Sequence, residues 1–160
     1  MMRTYTCGEL RANQVGVRVT LCGWVDTVRD HGGVIFIDLR DRYGLTQVIF
    51  DPRDSKEAWD KAQSTRSEFV IRIEGVVELR PSEMANSGLP TGQIEIRANT
   101  ITILNKSLTP PFPLDDEKAE RVSEDLRFVY RYLDLRRRKM QNNLWKRHEI
   151  LQAVRGYLDA

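Results

Sequence analysis

Cysteine and histidine are both scarce: Cys7, Cys22, His31 and His148 are the only ones in 160 residues. The two thiols match neither a zinc-ligand spacing nor a disulfide framework, which fits a reducing cytoplasm, and the two histidines are too isolated to suggest a metal site. No apolar run approaches the roughly 20 residues that a membrane-spanning helix needs. The N-terminus lacks the hydrophobic stretch of a signal peptide. A P-loop, a nucleophile elbow and a His-rich metal motif are also missing. What is there is 41% hydrophobic and 30% charged, the composition of an ordinary globular protein.

The formal net charge of +2 conceals a division. Residues 126–148 hold eight Lys/Arg against one acid, Asp134, whereas residues 1–125 are net acidic. The first part is therefore no general polyanion binder. If it takes nucleic acid, it does so with one prepared face.

Residues 1–105 read as strands and turns. The capping-box spacing of Thr6 and Glu9 predicts a short opening helix over Leu10. Strands are predicted at 17–29, 34–40, 46–51, 69–80 and 93–105, with a hairpin loop at 41–44. Asp54 and Glu57 repeat the capping spacing before Ala58, Trp59 and Ala62, which predicts a helix between the third and fourth strands. Five strands with a helix in that place is the order of the OB-fold, a Greek-key barrel that commonly binds oligonucleotides. The fold class is thus all-β with flanking helices. A Pro-rich hinge over 106–122 follows, containing Pro110, Pro111 and Pro113. From Ser123 to the end of the chain the spacing is helical, with Leu144, His148, Leu151, Val154 and Leu158 on one stripe.

The strand VIFIDLR (34–40) is the most informative segment. Side chains alternate across a strand, so Ile35, Ile37 and Leu39 supply the core, and Phe36 falls on the other face beside Asp38 and Arg40. The same phasing turns Val48, Phe50, Phe69, Ile71, Ile73, Val77, Leu79, Ile94 and Ile96 inward. It turns Gln47, Arg72, Arg80 and Glu95 outward, and Arg29 ends the first strand near the strand of Phe36. An aromatic ring ringed by an amide, a carboxylate and guanidinium groups suits an unpaired base. Stacking is worth roughly 1–3 kcal/mol per base, amides and carboxylates read base edges, and arginine holds phosphate. The plainer readings stay open at this point: an outward Phe under a neighbouring loop, solvated Gln47 and Glu95, and Arg80 paired with Glu78 or Glu95.

The segments LCGWV (21–25), VIFIDLRDRYGLTQVIFDP (34–52), TGQIEI (91–96), TPPFPLD (109–115) and YRYLDLRRR (130–138) together resemble the bacterial-type aspartyl-tRNA synthetases over almost the whole chain. The resemblance implies a division into an OB-fold anticodon-binding domain (1–105), a hinge (106–122) and the start of a class II catalytic domain (123–160). It implies that the position of Phe36 stacks on an anticodon base, those of Gln47 and Glu95 contact base edges, and those of Arg29 and Arg80 hold the loop. It further implies that His31, and a loop position that falls at Glu83, bear on discrimination between tRNA-Asp and tRNA-Asn. Histidine offers a donor and an acceptor there, where leucine offers neither. By the same resemblance the parent is a homodimeric, cytoplasmic, ATP- and Mg2+-dependent aspartate–tRNA ligase. Tyr130, Tyr132, Leu133 and Leu135 are then packing residues, and the helix after them helps build the dimer interface. The Phe-Arg-x-Glu and Gly-x-Gly-x-Gly-x-Glu-Arg signatures are missing, so no catalytic residue or cofactor is expected in these 160 residues, and the chain alone is expected to be inactive. The alternative is a stand-alone OB-fold module that binds any single-stranded nucleic acid, with Phe36 as a stacking platform.

Overall fold

The computed structural model describes residues 2–159, which fall into two compact units divided between Thr109 and Pro110.

In the first unit five strands close into a barrel in the order β1-β2-β3-β5-β4. They are β1 (Arg18–His31), β2 (Val34–Arg40), β3 (Leu45–Phe50), β4 (Val70–Leu79) and β5 (Ile94–Asn105). All pairings are antiparallel except β3 with β5, where Val48 and Ile49 lie beside Ile96 and Arg97 in parallel. Alternation builds the core: Leu21, Ile37, Leu39, Val48, Ile71, Ile73, Val77, Ile94 and Ile96 are fully buried. Helix α1 (Lys56–Gln63) lies between β3 and β4 in the chain and buries Ala58 and Ala62. Its N-cap is Ser55, whose hydroxyl accepts from Ala58 N–H. Asp54, expected to cap it, instead accepts from Arg97 at 2.6 Å.

The predicted opening helix forms only a turn, although Thr6 N–H does donate to the Glu9 carboxylate at 2.6 Å. One local bond is too little to nucleate a helix. Here the chain is held by tertiary contacts: Asp41 accepts from Cys7 N–H and, through its other oxygen, from the backbone of Tyr43 and Gly44. Gly8 and Gly44 meet there, and a Cβ on Gly8 would stand 2.2 Å from the Tyr43 carbonyl oxygen. Leu79, expected in the core, is 56% exposed. It pairs with Ile94 at the last register position of β4; Ile94 is buried there and Leu79, at the strand end, is not.

Two irregularities shape the β1–β2 pair. The β1–β2 turn is the two-residue Gly32-Gly33, both at positive φ, the conformation that tight hairpins favour and glycine adopts freely. Trp59 of α1 fastens it by donating from its indole N–H to the Gly33 carbonyl at 2.7 Å. Second, the β1–β2 register shifts between Val25 and Thr27. A bulge of this kind reverses which residues face out. Strict alternation from Val19, Leu21 and Val25 would turn Arg29 inward; with the bulge, Thr27 stands opposite Asp38 and Arg29 opposite Phe36.

The second unit comprises α2 (Asp116–Glu120), α3 (Glu124–Val129), α4 (Arg131–Asp134) and α5 (Arg138–Leu158). Its small core is Phe112, Ala119 and Leu133, with Leu114, Val122, Leu126 and Tyr130 packed against it. Tyr132, expected to pack, is 65% exposed. Arg137 is buried and paired with Asp134 at 2.9 Å and Asp116 at 3.0 Å, so the basic run 136–139 is partly consumed inside its own unit. On α5 the residues Leu144, Trp145, Ile150, Leu151, Val154, Tyr157 and Leu158 are exposed. No helix among the described residues is long and apolar enough to cross a membrane.

Candidate functional site

The outer face of β1, β2, β3 and β5 carries one connected set of polar side chains beside Phe36. Arg29 donates to both oxygens of Asp38, at 2.6 and 3.0 Å, and to the Gln47 side-chain carbonyl at 3.3 Å. Gln47 in turn donates from its amide nitrogen to Glu95 Oε2 at 2.9 Å. Arg80, just past β4, donates from Nε to the Ile94 carbonyl at 2.9 Å, and the same nitrogen stands 3.9 Å from Glu95 Oε2. Thr27 completes the set by donating its hydroxyl to Asp38 Oδ2 at 2.5 Å.

Register explains the convergence. Asp38 lies directly opposite Gln47 across β2–β3 and opposite Thr27 across β1–β2, while Phe36 stands between Arg29 and Ile49. Glu95 reaches Gln47 because β5 runs parallel to β3 with Ile96 beside Val48. Phe36 is partly buried in this setting, flanked by the outward side chains of its two neighbouring strands.

The electrostatics are balanced: two guanidinium and two carboxylate groups occupy the set. Glu95 is buried, only 9% exposed, and burial pushes its carboxyl above the usual range. Glu78, directly opposite on β4, adds to the rise, while the Gln47 hydrogen bond and Arg80 oppose it. Burial also pulls the Arg80 guanidinium down, against the pull of Glu95 and Asp38. A carboxylate held in this state is eager for N–H donors. The face offers acceptors and donors in a fixed pattern rather than excess positive charge.

The structure thus brings together Arg29, Phe36, Gln47, Arg80 and Glu95. Gln47 and Glu95 are joined to each other and not separately solvated, and Arg80 is engaged with the Ile94 carbonyl and Glu95. His31 and Glu83 stand apart from the set. His31 is exposed at the end of β1 opposite Val34, and Glu83 is exposed in a 3-10 turn over Ser82–Met84. Neither side chain makes a hydrogen bond or ion pair among the described residues. Sequence reasoning placed Asp38 on this face but gave it no role, and it passed over Thr27. Asp38 could have been found from its position two residues beyond Phe36 on the same side of the strand.

Elsewhere, no group of three or more His, Cys, Asp or Glu among the described residues could hold a metal ion. A cavity of about 410 Å³ is lined by Arg3, Cys22, Trp24, Asp41, Tyr43 and Val70, among others. Its lining shares no residue with the polar set around Phe36.

Comparison with known proteins agrees with the barrel fold. A family model described as an OB-fold nucleic acid binding domain matches residues 19–104. A second, for class II tRNA synthetases (D, K and N), matches residues 123–160. The chain is 52% identical to an aspartate–tRNA(Asp/Asn) ligase of Halothermothrix orenii, covering 99% of this chain and 27% of that protein. It is 55% identical to the ligase of the same name from Desulfotalea psychrophila, covering 99% of this chain and 26% of that one. The chain therefore spans about a quarter of the length of these relatives. Among solved structures, asparaginyl-tRNA synthetase from Pyrococcus horikoshii superposes over 99% of this chain and 36% of its own, with a TM-score of 0.81 and 26% identity. An OBody bound to hen egg-white lysozyme matches 66% of this chain and 95% of its own, with a TM-score of 0.58 and 28% identity.

Proposed function

The chain belongs to the OB-fold nucleic acid binding domain family, and on that premise we propose that its barrel reads the anticodon of a tRNA as the N-terminal part of an aspartate–tRNA ligase. The observation that carries the proposal is the continuous outer face in which Phe36 stands beside the bonded series Arg29, Gln47, Glu95. In this reading an unstacked anticodon base lies on the Phe36 ring. The Gln47 amide and the Glu95 carboxylate meet base edges, and the Arg29 and Arg80 guanidinium groups brace the loop. The charge balance of the face favours base reading over backbone binding, which depends on neutralising phosphates.

The partner in this reading is tRNA-Asp, with tRNA-Asn as a second substrate. That the relatives are Asp/Asn ligases supports the second, and His31 and Glu83 are the residues proposed to bear on that discrimination. The parent activates aspartate with ATP and Mg2+ through residues outside this chain, and works in the cytoplasm as a homodimer. The exposed apolar side chains of α5 support a further packing partner for the second unit.

The test is binding of tRNA-Asp, tRNA-Asn and an unrelated tRNA to the chain and to its Phe36→Ala and Gln47→Ala forms. Preference for tRNA-Asp and tRNA-Asn over the unrelated tRNA, lost in both variants, is the expected result. Equal binding of all three tRNAs sinks anticodon reading and favours a general single-strand binder. His31→Leu is expected to shift the ratio of tRNA-Asn to tRNA-Asp binding.

A further inference from the structure

Asp38 sits at the middle of the face yet has no role in the reading above. Its side chain is only 15% exposed, beneath an Arg29 side chain that is 50% exposed. Both of its oxygens are occupied. Oδ2 accepts from Thr27 Oγ1 at 2.5 Å and from Arg29 Nη1 at 2.6 Å, while Oδ1 accepts from Arg29 Nη2 at 3.0 Å. A guanidinium held at two points by a carboxylate has its plane fixed. That same Nη2 then points its remaining hydrogen at Gln47 Oε1, 3.3 Å away.

The amide of Gln47 is consequently gripped at both ends. Its oxygen faces a guanidinium donor and its nitrogen faces the Glu95 carboxylate at 2.9 Å. Rotating the amide by half a turn would set N–H against N–H at one end and C=O against carboxylate at the other. Both contacts are repulsive, so the neighbours determine which atom lies where. One lone pair of Oε1 and one hydrogen of Nε2 stay free, in a fixed left-to-right order across the face.

We propose that Asp38 is a positioning residue for base discrimination: by holding Arg29 it sets the direction of the Gln47 amide, and hence which base edge the face accepts. This rests on the face being a recognition surface for RNA. Asp38 does not touch the RNA, since its carboxylate is enclosed and its charge repels phosphate. Without it, the Arg29 side chain is free to swing to a phosphate, and the Gln47 amide keeps only its bond to Glu95. Selectivity then falls while affinity for a mismatched loop stays level or rises. A residue that merely supports the fold would lose both together.

The experiment uses Asp38→Asn in the 160-residue chain, with two readouts. The first needs no RNA: the side-chain amide signals of Gln47 in a 1H–15N spectrum are expected to shift, with faster hydrogen exchange than in wild type. The second is binding of RNA hairpins carrying the GUC loop or loops altered at one base. Discrimination is expected to fall about tenfold, the equivalent of one charge-assisted hydrogen bond. The Asp38→Asn/Gln47→Ala double variant is expected to discriminate no worse than Gln47→Ala alone. Thr27→Val, which removes only the hydroxyl that seats the carboxylate, is expected to move both readouts the same way by less, and replaces Asp38→Asn if that variant fails to fold. Unchanged Gln47 signals, or losses that add in the double variant, overturn the proposal. Should wild type discriminate no anticodon at all, the RNA reading fails, and the Gln47 spectrum still decides whether Asp38 sets the amide.

Discussion

Gln47 and Glu95 are 48 residues apart in the chain, and the side-chain amide of the first donates to the carboxylate of the second at 2.9 Å. The bond crosses the only parallel pairing of the barrel, β3 against β5. That pairing joins two strands of the barrel and at the same time brings the Gln47–Glu95 pair together, so the polar set and the barrel depend on the same backbone register. Local segments cannot form this contact before the distant strands meet.

Glu95 is expected to make RNA binding pH-dependent. Its carboxyl is raised above the ordinary range, chiefly by burial, and the ionised form is the stronger acceptor, with both oxygens open to N–H donors. RNA affinity is expected to fall as the pH drops through that raised value, at a higher pH than for an exposed carboxylate. Glu95→Gln is expected to weaken binding roughly 10- to 100-fold at neutral pH, the scale of a hydrogen bond to a charged group, and to flatten the profile. Stability runs the other way: a raised folded pKa means that the native state binds the proton more tightly, so wild type loses stability relative to Glu95→Gln as the pH rises through it. Titrations of binding and of urea unfolding check the two signs.

Asp51 has the opposite linkage. Arg53 donates to it from Nε and Nη2 and from its backbone N–H, and Arg97 from a further guanidinium nitrogen at 3.3 Å. The side-chain bond to Arg53 is the largest cause that holds its carboxyl down to about 2, from 3.8. The stability this confers is complete above 3.8 and is lost as the pH falls toward about 2. Asp51→Asn is expected to unfold at a lower temperature than wild type at neutral pH. Melting curves across the acid range are expected to show the two proteins converging.

The two thiols differ in access. Burial raises both, Cys7 by far the more, and Cys7 is fully enclosed while Cys22 borders the cavity near Trp24. A thiol reagent at neutral pH is expected to modify Cys22 slowly and Cys7 only after unfolding, since the thiolate is the reactive species. Counting released chromophore in native buffer and in urea measures this directly. Modification of Cys7 in native buffer contradicts the enclosure.

Much of this protein could be read along the chain. The period-two pattern of VIFIDLR, repeated in the other strands, put the right residues in the core and Phe36 on the outside, because burial on one face forces alternation. The hairpin loop at 41–44 was also legible, and it joins β2 to β3, with Arg40 opposite Leu45. Other features were beyond such reading. Asp54 and Glu57 had the spacing of a cap, yet Ser55 caps α1 and Asp54 is taken by Arg97, because the choice between two local caps was made by a residue on β5. Leu79 kept its inward phase and still lost its cover, because the length of the core is set by all five strands together.

Residue types and their alternation by themselves determined a five-strand barrel with an aromatic, amide-bearing and carboxylate-bearing outer face. Only the tertiary structure decided that Arg29 shares that face, through the bulge between Val25 and Thr27, and that Glu95 is buried against Gln47 and Arg80. Alternation is a property of one strand and can be read from it. A bulge, a register and a side-chain bond between strands are properties of pairs, and they exist only when the partner is in place.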